Sequence, residues 1–246
     1  MDAVALEAAV NEFAVDLMLR LGKILPAGDL GLSSQALPAR DGSARIAIAS
    51  VNPGGIELTI EKRPALQLEV NYKLMLSPIS RLPTVFGSQF LVRPYGIGRP
   101  LFTVDYVRDA QSNTPAAHYN LHFEHGATEA ELLKTGAVRR GKNHRKTIRS
   151  GKTPRLADVH FPVGGHRFRL CLEDVIEMLW IEFGIDVKST AGDAIREGRR
   201  GWRAMQVRAA VSDDPDSAAA ELQRLGYNVT PPTPGLSCRL DRVHAI

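Results

Sequence analysis

The stretch PAAHYNLHFEHG, residues 115–126, carries His118, His122, His125 and Glu124 within eight positions. If residues 117–124 are extended, successive side chains alternate between two faces. Tyr119, Leu121 and Phe123 then turn toward a core, while His118, Asn120, His122 and Glu124 line the opposite side. The preceding apolar run alternates in the same way, sending Phe102, Val104 and Tyr106 inward and Thr103 and Asp105 outward. A hairpin through RDAQSNTPA sets Asp105 beside His118 or Asn120. A carboxylate next to imidazoles fixes a ring tautomer and favours its protonated form, which allows neighbouring histidines to divide into acid and base. The expected catalytic set is therefore His118 and His122, oriented by Asp105. The same side chains, with Glu124, also offer an alternative as ligands of a divalent metal. A passive polar sheet face is the competing structural reading.

A second feature is charge. The chain of 246 residues has a formal net charge of only +4, yet no acidic residue occurs between Glu131 and Asp158. That interval holds Arg139, Arg140, Lys142, Arg145, Lys146, Arg149 and Lys152, flanked by Lys134 and Arg155. Such a run attracts phosphates by counterion release whatever the base sequence. It contains almost no apolar residue with which to bury itself, so it is expected to be mobile when free. Its expected partner is nucleic acid, RNA ahead of DNA, or else an acidic protein surface. No aromatic side chain is interleaved for base stacking.

These groups must be carried by a scaffold. MDAVALEAAVNEFAVDLMLRLGKIL repeats Leu6, Val10, Phe13, Leu17, Leu21 and Ile24 at helical spacing, and its acidic residues argue against a signal peptide or membrane span. Period-2 alternation follows in ARIAIAS, IELTIEK, LQLEVNYKL, SQFLVRPY, LFTVDYVRD and AAHYNLHFE, about six strands separated by short turns. This predicts an α+β fold, an antiparallel meander packed by the N-terminal helix and by C-terminal helices, with the polar face of the sheet left open. The expected organisation is one domain over 1–246: a helix over 1–25, the sheet over 44–125, the basic segment over 126–157, a hairpin and helices over 158–226, and an irregular tail over 227–246. DVHFPVGGHRFRL reads as the hairpin, turning at Gly164 and Gly165. Among the helices, residues 189–211 carry Arg196, Arg199, Arg200, Arg203 and Arg208 on one side and need Ile195, Trp202 and Met205 for packing. DDPDSAAAELQRLG offers Asp213 or Asp214 as a cap, Pro215 in the first turn and Gly226 as a stop.

Cys171 and Cys238 form no CxxC pair, so a disulfide framework and a thiolate metal site are not expected and a reducing cytoplasm is. Phosphate-loop, dinucleotide, zinc-protease, nucleophile-elbow and zinc-deaminase motifs are missing, and no motif asks for a cofactor. The stretches LFTVDYVRDAQSNTPAAHYNLHFE and HFPVGGHRFRLCLEDVIEML resemble uncharacterised proteins of high-GC actinobacteria, a resemblance that implies no activity. An Asp-bearing strand followed by a His-bearing strand resembles some small bacterial toxins of toxin–antitoxin pairs, matched here at His118 and His122. The resemblance implies a metal-independent endoribonuclease-like toxin or antiphage defence effector. The alternative is a non-enzymatic module that binds nucleic acid or protein through the basic segment.

Overall fold

The computed structural model describes residues 2–26, 30–38, 43–76, 83–110, 114–122, 147–153 and 155–244. Its element order is α1 (Asp2–Ile24), β1 (Leu32–Ala36), β2 (Arg45–Ser50), β3 (Ile56–Ile60), β4 (Arg63–Leu76), β5 (Pro83–Pro94), β6 (Phe102–Val107), β7 (Ala117–Leu121), a 3-10 turn (Leu156–Asp158) and β8 (Phe161–Pro162). Four helices follow: α2 (Leu172–Met178), α3 (Ala191–Asp213), α4 (Pro215–Arg224) and α5 (Leu240–Val243). The fold is α+β, with an eight-stranded antiparallel sheet in the order β1-β2-β4-β5-β6-β7-β8 and β3 also paired to β4. Two strands exceed the number that alternation marks. β1 is mostly exposed, and β8 is two residues long. β1, LSSQA, has no apolar alternation, and β8 is too short to show a period.

The apolar half of the alternation makes the core. Leu68, Val70, Tyr72, Leu74, Phe90, Val92 and Val104 project from one face of the sheet onto Leu6, Val10, Leu17, Leu21 and Ile24 of α1. Phe13 meets Tyr72 edge-on, with ring centroids 5.3 Å apart, and Tyr72 meets Phe90 at 5.5 Å. Burying each such side chain stabilises the fold by about 1.5–3 kcal/mol. The last carbonyls of α1, which have no partner within the helix, are taken by the chain entering α3. Lys188 donates to Ile24 O and Gly22 O, and Thr190 Oγ1 to Lys23 O at 2.6 Å. A partly buried ion pair, Arg20 to the buried Glu173 at 2.6 Å, ties α1 to α2.

The turn from β3 to β4 places Glu61 and Lys62 at positive φ, 49° and 62°, a region that L-residues adopt at a cost. Asp186 holds it there. Its carboxylate accepts from the backbone N–H groups of Glu61 and Lys62 and from Thr59 Oγ1. These bonds hold the Asp186 carboxyl below the usual carboxylate range.

Several expectations change. The residues after Gly164 and Gly165 form no return strand; β8 pairs instead with β7, His118 opposite Pro162 and Tyr119 opposite Phe161. Consequently the polar face is roofed near β7 and is not left open. α2 continues into a wider π turn (Leu179–Phe183) closed by Gly184. In α3, Ile195 and Trp202 are buried, whereas Met205 is 47% exposed and packs little. Asp214 is the cap of α4, accepting from Ser217 N, with Pro215 in the first turn. The tail ends in the helical turn α5. Among the described residues, no helix is long and apolar enough to cross a membrane.

Candidate functional site

Strand register builds the floor of the site. Asn71, Gln89, Asp105 and His118 stand directly opposite one another across β4, β5, β6 and β7, so all four share the face turned away from the core. The next row is Glu69, Leu91, Thr103 and Asn120. Asp105 is the hub. Its Oδ1 accepts from Gln89 Nε2 at 2.8 Å, and its Oδ2 from Thr103 Oγ1 at 2.6 Å and Asn120 Nδ2 at 2.8 Å.

The roof comes from the end of the basic segment and the residues just after it. Thr147, Ala157, Asp158 and His160 close over Gln89, Leu91, Thr103, Asp105 and Asn120, with Pro100, Thr114 and His122 completing a cavity of about 600 Å³. The 3-10 turn braces the roof, Arg155 N donating to Asp158 Oδ2 at 2.9 Å.

His118 does not face this cavity as an exposed strand residue would. It is 4% exposed because β8 and His160 cover it. Its Nδ1 lies 2.8 Å from Pro115 O; a carbonyl only accepts, so Nδ1 carries the hydrogen. The other nitrogen, Nε2, lies 4.0 Å from Asp105 Oδ2, within ion-pair range but too far for a hydrogen bond. The His118 ring meets the His160 ring edge-on at 4.7 Å. His160, from a segment without periodicity, escaped sequence reasoning; no spacing rule finds it.

The two imidazoles lining the cavity are both biased toward neutrality. Burial lowers the pKa of His160 first, and charge on His118 lowers it further against the opposing pull of Asp105 and Asp158. Burial also lowers that of His122, helped by the positive charges of Arg155 and Arg99. Two polar atoms beside the cavity, Asn120 Oδ1 and His122 Nε2, are buried without a hydrogen-bond partner among the described residues.

No protein-family model, curated protein or solved structure matches the chain. Among the described residues, no three His, Cys, Asp or Glu side chains converge as a metal ion requires. Glu124 and His125 lie outside the described residues, as do Arg139, Arg140, Lys142, Arg145 and Lys146. Arg149 and Lys152 are exposed on the turn leading into the roof. The strand and the end of the basic segment are thus brought together at one cavity.

A second polar cluster lies beyond β6 on the core side. His166 is 5% exposed, with Tyr106 Oη 3.3 Å from Nδ1 and Arg242 Nη1 3.4 Å from Nε2. A guanidinium only donates, so Nε2 accepts and Nδ1 carries the hydrogen. Arg169 stacks over Tyr106 at 3.8 Å and near Trp202 at 4.8 Å. Burial, with Arg242, Arg167 and Arg169, lowers the His166 pKa from 6.5 to about 4.

Below pH 6.5 the unfolded chain binds a proton at His166 that the folded chain refuses until about pH 4. Stability is complete above that window and falls as pH drops through it, by about 3 kcal/mol from this residue. Urea midpoints measured from pH 7.5 down to pH 4 should decline, and His166→Gln should flatten part of the decline. An unchanged slope in the variant would contradict the assignment.

Proposed function

We propose that the cavity is the active site of a metal-independent endoribonuclease acting on single-stranded RNA. The observation that carries this reading is that His122, His160 and Asp105 line one polar cavity, with His118 packed against His160; burial favours the neutral form of both cavity imidazoles. A neutral imidazole is a competent base at pH 7. In this reading His160 removes the proton from a ribose 2′-hydroxyl, the oxygen attacks phosphorus, and the bond to the 5′-oxygen breaks. His122 delivers a proton to that leaving oxygen, giving a 2′,3′-cyclic phosphate and a 5′-hydroxyl. Burial is the main cause that disfavours protonated His122, and Arg155 and Arg99 add to it; a phosphate bound beside the ring would offset the arginine part and so favour proton uptake.

His118 is a positioning residue, since it touches His160 and Asp105 and does not line the cavity. Arg149, Lys152 and the basic run through Arg139, Arg140, Lys142, Arg145 and Lys146 would hold neighbouring phosphates by charge alone. A cytoplasmic toxin or antiphage effector is the setting in which such an activity would operate. End-labelled RNA incubated in chelator tests the reading. The parent is expected to cut and to leave cyclic phosphate ends, and a His122→Ala/His160→Ala double variant to leave the RNA whole. Equal cleavage by both proteins would sink it.

One observation favours a non-enzymatic module instead. Asp105 is already occupied by three donors, as a group that only shapes a surface would be. In that case RNA affinity survives the histidine substitutions and falls steeply with salt.

A further inference from the structure

The part of the cavity floored by Asp105 and Asn120, the inner cavity, has a chemistry of its own. Asp105 and Asp158 both line the cavity, and a phosphate placed there would face two carboxylates. An uncharged group rich in N–H donors is therefore favoured. Leu91, Pro100 and Ala157 add apolar wall against which a flat ring can lie.

Asn120 sharpens this. A carboxylate accepts, so the contact at 2.8 Å to Asp105 Oδ2 requires the amide nitrogen of Asn120 on that side. Its second amide hydrogen is taken by Thr103 Oγ1 at 3.2 Å. Both donors are spent, the amide orientation is settled by the carboxylate, and what remains is Oδ1, buried and without a partner among the described residues. A buried acceptor left unmade is costly, and a ligand that displaces what covers it and supplies a donor recovers that cost.

We infer that the inner cavity is a base-reading subsite in which Asn120 Oδ1 accepts from the exocyclic amino group of a nucleobase. The substrate class is RNA with an amino-bearing base, adenine, cytosine or guanine, next to the bond that is cut. This rests on the RNA reading above, but it is tested by binding and not by cleavage.

The probes are adenosine 3′-monophosphate and purine riboside 3′-monophosphate, which differ in the amino group, titrated calorimetrically into the parent protein and into Asn120→Ala. The parent is expected to bind the amino-bearing nucleotide about tenfold more tightly. Asn120→Ala, which removes this acceptor together with the amide donors to Asp105 and Thr103, is expected to bind the two alike. Equal affinities in the parent overturn the inference, and this comparison does not depend on the variant folding. Discrimination that persists in a folded Asn120→Ala overturns the assignment to Asn120. Failure of both nucleotides to bind overturns it as well. RNA cleavage by the parent, measured separately, then shows whether the wider reading stands.

Discussion

Replacing His160 with alanine is expected to lower the RNA cleavage rate by about 10²–10⁴-fold, the range over which one positioned proton-transfer group contributes. His122→Ala should fall in the same range, and the double variant should be little worse than either, since two groups that act in one step do not contribute additively. His118 is different. It holds Pro115 O through Nδ1 and meets His160 through its ring, so its loss should cost less in rate. It should also move the pH profile. Charge on His118 is one of the causes that lower His160, so His118→Asn should shift the acid limb of the rate profile to higher pH. A purely structural histidine would lower the rate at every pH without moving that limb. Single-turnover rates between pH 5 and 8 on the three variants make the distinction. Cleavage by His160→Ala at the parent's rate would remove His160 from the chemistry.

The second large effect is on stability. Gly198 lies buried in α3 against Glu173, and a Cβ added there would stand 2.2 Å from Glu173 Oε1 and 2.8 Å from its Cδ. Helix propensity alone would make Gly198→Ala stabilising by about 1 kcal/mol. The clash decides the sign. Glu173 is 4% exposed and its Oε1 holds the half-buried Arg20 at 2.6 Å, so the carboxylate cannot swing aside without giving up that ion pair. Leaving a buried carboxylate unpaired costs up to about 3–5 kcal/mol. The net expectation is a loss of about 2–4 kcal/mol, or a fall in Tm of roughly 5–15 °C for a chain of this length. Thermal and urea denaturation read it directly, and a raised Tm would show that Glu173 has room to move.

The sheet and the two long helices were legible because each has a period. α1 repeats its apolar side chains at three and four residues, and β4, β6 and β7 alternate. Register followed, so that Asp105 meets both His118 and Asn120. Alternation says which face a side chain takes, however, and not what lies over that face. His118 is on the polar side of β7 and still becomes one of the buried residues, because a segment some forty residues later returns to cover it. That return depends on a two-residue strand and a single 3-10 turn, neither long enough to leave a periodic trace. The same reason hides His160 and makes the Gly164–Gly165 stretch look like a hairpin. Asp186 shows a further limit. Nothing near it in sequence announces that it fastens a turn more than 120 residues away.

The order of the strands has a kinetic consequence. Most neighbours in the sheet are also neighbours in sequence, so β4, β5, β6 and β7 can pair as they leave the ribosome, over short loops with little closure entropy. The cavity floor, with Asp105 and its three donors, belongs to that early part. The roof, the Arg20–Glu173 tie and the Tyr106–His166 contact all wait for the last hundred residues. A nascent chain therefore holds the floor before it holds the roof, and His122 and His160 come to line one cavity only after the segment that carries His160 has been made.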